Sequence, residues 1–209
     1  MASITRCCRN GWLKQAGNAL AALMLVLATS FAYGQNLTEI TQFQVERVDE
    51  EVVISAQMAF ELPPAVEDAL LKGIPLFFVI EADVMRERWY WYDKKIIAVE
   101  RHMRLAYLPL TRRWRLNVTA GAGRDPGVGL ALNQSFDTLS QVMTAIKRIS
   151  RWKIAEASDL DANQKYKVDF RFRLDLNQLP RPFQIGALGQ SDWDIVATTT
   201  SVLAIVPPK

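Results

Sequence analysis

Residues 165–175 alternate without a slip: Tyr166, Val168, Phe170, Phe172 and Leu174 are apolar, and Lys165, Lys167, Asp169, Arg171, Arg173 and Asp175 are charged. A period of two is that of a strand with one face buried and the other in water. Residues 52–62 repeat the pattern, with Val52, Ile54, Ala56, Met58, Phe60 and Leu62 on one face and Ser55, Gln57 and Glu61 on the other. Asp49-Glu50 suits a turn, so 37–48 and 52–62 are predicted to form a hairpin. Pro63-Pro64 ends the second strand, and 65–72 reads as a short helix with Pro64 near its first position and Gly73 at its C-cap.

After Pro75 the chain reads as extended over 76–92, turns at Asp93-Lys94-Lys95, and forms a strand from about Ile97 to Tyr107. A turn at 109–112 leads to another strand, 114–119. Residues 120–132 contain four glycines and a proline and read as a surface loop. Ser135 is a predicted N-cap for a helix to about Ser150, with Phe136, Leu139, Val142, Met143, Ile146 and Ile149 as its apolar stripe. Asp137 at its start and Lys147, Arg148 and Arg151 at its end suit the helix dipole. A strand at 152–156, a turn at 158–164, the alternating strand, a proline-broken 179–185 and an apolar 195–206 follow. About eight strands with two helices predict a mainly β fold, first an antiparallel β-sandwich and second an open lipocalin-like β-barrel. An outer-membrane barrel fits poorly, because the polar face of the long strand is fully charged.

The first 34 residues follow a different rule. Arg6, Arg9 and Lys14 form a basic start, 16–28 is an apolar run of 13, and Ala32 and Gly34 place small residues at −3 and −1 before Gln35. That is the pattern of a secretory signal peptide cleaved between Gly34 and Gln35. Thirteen apolar residues fall short of the roughly 20 that a spanning helix needs. Residues 35–209 are therefore expected to be one β-rich periplasmic domain with no stable membrane span. Cys7 and Cys8 precede the apolar run, so neither is placed for lipidation. The mature chain has no cysteine, which excludes disulfides, thiol catalysis and zinc–thiolate sites.

The overall excess of three positive charges lies entirely in the signal, and the mature chain balances 22 bases against 22 acids. A nucleic-acid role thus lacks its electrostatic footprint. Along the chain, charge is uneven. Residues 39–83 hold ten acids against Arg47 and Lys72, and 86–115 hold nine bases against Glu87, Asp93 and Glu100. Either neighbouring strands pair these charges across a sheet, or they form a polar docking face.

Candidate catalytic groups are solitary or misspaced, and no cofactor is implied. His102, the lone histidine, shares a strand face with Glu100 and Arg104, opposite Val99, Met103, Leu105 and Tyr107. No Gly-x-Ser-x-Gly elbow accompanies it. Asp159-x-Asp161-x-Asn163 opens like a calcium loop but has Gln164 where glycine is needed and Phe170 where glutamate should close it, so no metal site is expected. The glycine-rich 121–129 lacks the lysine and hydroxyl of a phosphate loop. Asp192 and Asp194 would lie on one strand face about 7 Å apart, although such pairs more often cap turns. Asn36, Asn117 and Asn133 open glycosylation triplets that matter only in a eukaryotic secretory route.

The most distinctive cluster is Arg86-Glu-Arg88-Trp89-Tyr90-Trp91-Tyr92-Asp93. On a strand, Trp89 and Trp91 face one way while Arg88, Tyr90 and Tyr92 face the other. Aromatics interleaved with arginine are favoured at binding surfaces, which makes Arg86, Arg88, Tyr90 and Tyr92 the candidate partner-binding residues. The alternative is that both layers pack.

Leu62-Pro63, Ala69-Leu70, Gly73-Ile74-Pro75-Leu76, Arg88-Trp89-Tyr90-Trp91 with Asp93, Trp152, Leu179-Pro180-Arg181-Pro182-Phe183 and Ser191-Asp192-Trp193 together resemble an exported bacterial family described as domain of unknown function 4390. The resemblance spans nearly all of the mature chain. It implies a Gram-negative, signal-peptide-bearing protein with no established activity and no catalytic residues to carry over. Family genes often stand beside a nitrogen-regulation-type membrane sensor kinase, which implies a periplasmic accessory to a sensor or envelope protein. The main expectation is a non-enzymatic binding module, and the alternative is a carrier of an apolar small molecule or lipid, with the aromatic strand lining a barrel mouth closed by the Ser135 helix.

Overall fold

The two alternating segments lie in different sheets of the computed structural model, which describes residues 38–88, 92–122, 131–161, 164–187 and 193–203. A three-stranded sheet has the order β1 (Glu39–Val48), β2 (Glu51–Ala59), β7 (Arg148–Glu156). A six-stranded sheet has the order β6 (Ala131–Phe136), β5 (Arg113–Ala122), β4 (Lys94–Leu108), β3 (Leu76–Arg86), β8 (Tyr166–Leu174), β9 (Val196–Leu203). Every pairing is antiparallel. The fold is a β-sandwich. The two sheets do not close into one barrel, so the lipocalin-like alternative does not hold.

The predicted first hairpin is present, turning at Asp49 with φ 55 between Val48 and Glu51. In the larger sheet the core is set by register: Phe78, Ile80, Ala82 and Val84 of β3 lie opposite Leu174, Phe172, Phe170 and Val168 of β8. All eight are buried, as are Val52, Ile54, Ala56 and Met58 from β2. Phe78 and Phe172 stack at 5.5 Å and 11°, and Phe60, just past β2, lies 5.1 Å from Phe172.

Helix α1 (Pro64–Leu71) starts and stops as its sequence predicts, with Pro64 in the first turn, where no amide partner is lost. The Gly73 amide donates to the Leu70 carbonyl at 2.8 Å and the Ile74 amide to the Ala69 carbonyl at 3.1 Å, the paired bonds of a Schellman cap. Gly73 has φ +85, and a Cβ there would meet nothing within 4 Å. The cost of Gly73→Ala is therefore purely conformational, about 1 kcal/mol, and is expected as a lowered urea midpoint with an unchanged m-value.

Four expectations need correction. Helix α2 is Leu139–Lys147, and its N-cap is Thr138, whose hydroxyl accepts from the Gln141 amide at 3.3 Å. Ser135 instead lies on β6 opposite Arg115. The chain enters β7 directly at Arg148, so Ile149 is a buried strand residue. Part of the predicted glycine loop is sheet, because β5 continues to Ala122 and β6 begins at Ala131. The turn expected at 93–95 is shorter, since Lys94 already pairs with Arg86. Finally, the proline-broken 179–185 contains a third helix, α3 (Arg181–Ala187). The Phe183 and Gln184 amides donate to the Pro180 carbonyl at 2.9 and 3.2 Å, and prolines in a first turn interrupt no helical bond. Among the described residues, no helix is long and apolar enough to cross a membrane.

Candidate partner-binding surface

Strand β3 ends at Arg86, so the expected strand layout of the Arg86–Asp93 cluster is also corrected: Arg88 and Tyr92 belong to the connection from β3 to β4. The last ladder-like bond runs from the Glu87 amide to the Lys165 carbonyl at 3.1 Å. Beyond it the Asp93 carboxylate accepts from the Arg88 amide at 3.3 Å and folds the connection back. Lys167 of β8 braces it from the side, 2.9 Å from Glu87 and 4.0 Å from Asp93. Its ammonium is held above its usual pKa by the hydrogen bond and charge of Glu87 and, less strongly, by Asp93.

Arg86 lies opposite Tyr166, which is buried, and so sits on the core side of the sheet end, half-buried. Arg88 is exposed, and Tyr92 is 89% exposed. Tyr90, with Trp89 and Trp91, is outside the described residues. The structure thus places Arg88 and Tyr92 together at a hairpin tip and separates Arg86 from them. The signal segment with Gly34 and Gln35, the Asn36 triplet, glycine positions 123–129, Asn163 and Asp192 are likewise outside the described residues.

Next to this tip, the outer face of the six-stranded sheet carries ordered charged and polar side chains, with Phe77, Val79 and Val202 among them. Glu81 accepts from Arg173 at 3.0 Å from Nε and 2.9 Å from Nη2. Asp83 pairs with Lys95, and Asp169 accepts from the Thr200 hydroxyl at 2.8 Å. His102 Nε2 lies 3.3 Å from Glu100 on the solvent side, as the alternation of β4 predicts. Arg104 lies over the Phe77 ring at 5.9 Å, and Arg171 is exposed beside Glu81. Asp83–Lys95 joins the acidic block of the sequence to the basic one, whereas Glu81 finds its partner outside both. Exposed pairs of this kind add little stability each. Their stronger effect is to hold charges in a fixed pattern on the sheet face.

Other sequence candidates stay apart. The Asp161 amide donates to the Tyr166 hydroxyl at 3.0 Å, which ties down the turn that opened like a calcium loop. Among the described residues, no three His, Cys, Asp or Glu side chains gather as metal ligands. One residue of chemical interest was passed over in the sequence. Arg101 interrupts the apolar row Val99, Met103, Leu105 on β4, and its guanidinium carbon lies 4.8 Å from the centroid of the Trp152 ring on β7. A charged residue at an apolar position of the alternation was the available signal.

The family model described as Domain of unknown function (DUF4390) matches residues 35–203. No curated protein and no solved structure matches the chain.

Proposed function

The chain belongs to this family of unknown function, DUF4390, and we propose from that premise that it is an exported periplasmic module that works by binding a membrane or envelope protein rather than by catalysis. The observation that carries the reading is Tyr92, 89% exposed beside exposed Arg88 at a hairpin tip. Large exposed aromatics next to arginine are what hot spots are made of. The ordered charges of the adjoining sheet face supply orientation and discrimination rather than bulk affinity. The partner implied by the family resemblance is a membrane sensor kinase with a periplasmic portion.

The test places a photocrosslinking residue at position 92 in cells and identifies the captured membrane protein by mass spectrometry. Capture of the sensor's periplasmic portion is expected from position 92 and from position 171. Capture from position 171 should be abolished by combining Arg88→Glu with Tyr92→Ala, with stability changed by less than about 0.5 kcal/mol, as for other exposed positions. Undiminished capture in that double variant would remove the surface from consideration.

A further inference from the structure

On β4, Arg101 lies opposite Ile80 of β3 and Ala120 of β5, so its side chain enters the layer between the sheets. Its Nε is shut off from solvent and has no acceptor. No carboxylate among the described residues forms an ion pair with it. Burial pulls its pKa below the usual guanidinium value. The Trp152 ring supplies a cation–π contact, but stacking replaces only part of the hydration that a cation loses on burial. A guanidinium in this setting is a cation with hydrogen-bonding capacity left over.

The surroundings of Arg101 say what would use it. The three-stranded sheet ends at β7, whereas the larger sheet continues through β5 to β6. Register puts Val118 of β5 opposite Met103 and Leu132 of β6 opposite Val118, all on the core side. Ala120, directly opposite Arg101, and Val118 are only partly buried there, and Leu132 is 54% exposed. An apolar strip thus runs outward from Arg101 across two strand spacings, about 10 Å.

We propose that Arg101 and this strip bind a long-chain fatty acid, the carboxylate at the guanidinium and the acyl chain along Ala120, Val118 and Leu132. A carboxylate supplies the counter-charge that Arg101 lacks, and its two oxygens match the fork of a guanidinium. An unbranched chain matches a narrow apolar strip. This site lies on the opposite side of the sheet from the polar docking face, so either can fail without the other.

The experiment is displacement of a fluorescent fatty acid from the purified protein, with one-to-one binding checked by native mass spectrometry. Palmitate should compete at least about tenfold better than uncharged hexadecanol, as expected for a charge-assisted pair, and acetate should not compete. Arg101→Gln should reduce palmitate to the level of hexadecanol, while Arg104→Gln, on the outer face, should change nothing. Should Arg101→Gln lose its cooperative melt, Leu132→Asp decides, since that side chain is exposed and a charge there would stand against the acyl chain. Absence of a palmitate adduct, equal competition by palmitate and hexadecanol, or wild-type palmitate binding in either variant that folds would overturn the assignment.

Discussion

Phe172→Ala is expected to remove about 4 kcal/mol of stability, a large part of the 5–15 kcal/mol that typically holds a domain together. Phe172 is fully buried and sits between Phe60 at 5.1 Å and Phe78 at 5.5 Å. Truncation there removes the side chain that joins the two sheets, and rigid strands on both sides prevent collapse into the gap. Phe77→Ala is the matched control. Phe77 is on the outer face, half-buried, with Arg104 lying over its ring, and should cost less than half as much. Urea denaturation of both variants measures the difference. Equal losses would mean that the outer face is covered as tightly as the inner one, and the docking surface would lose its premise.

The same contrast explains which parts of the fold the sequence disclosed. Strands β2 and β8 have one face in the core and one in water, so burial wrote a period of two into them. Strand β6 is at the sheet edge. Its Asn133, Gln134 and Ser135 are all exposed, and without a buried face it left no alternation, only a polar run that read as loop and helix cap. Helix α3 was hidden by Pro180 and Pro182, which break a helix in mid-course but fit its first turn. About eight strands with two helices favour a sandwich over a barrel without deciding between them, and strand order lies beyond reach because register between distant strands depends on packing.

The candidate surface was legible to a similar degree. Arg88 and Tyr92 stood out by composition, and both are exposed. Their expected placement on a strand failed because the Asp93 carboxylate captures the Arg88 amide and turns the chain early. Arg101 was visible as a charge in an apolar row, but its meaning required knowing that Trp152, distant in sequence, faces it.

Asp175→Ala is expected to cost about 2 kcal/mol at neutral pH, and the loss should depend on pH with a definite sign. Asp175 is 9% exposed where β8 ends, and its amide donates to the Phe77 carbonyl at 2.7 Å. Its carboxylate accepts from Gln178 Nε2 at 2.8 Å and from the Asn177 amide and side chain, each at 3.2 Å, and lies 3.5 Å from Arg173 Nη1. Burial pushes its pKa up, but Gln178, Asn177 and Arg173 outweigh burial and leave it below the usual carboxylate value. The folded pKa is therefore lower than the unfolded one, near 3.9. Its stabilisation is complete above the unfolded value and is lost as pH falls through the folded one. Wild type and Asp175→Ala should accordingly differ most between pH 5 and 7 and converge on acidification below about pH 4, read from urea midpoints across that range. A difference that stays constant down to pH 2 would mean that Asp175 acts by shape alone. Convergence would identify the carboxylate as the clamp between the end of β8 and the segment leading to α3, whose Ile185 is 72% exposed. That segment would then loosen in acid before the phenylalanine core does, because Asp175 is the one buried carboxylate among the described residues.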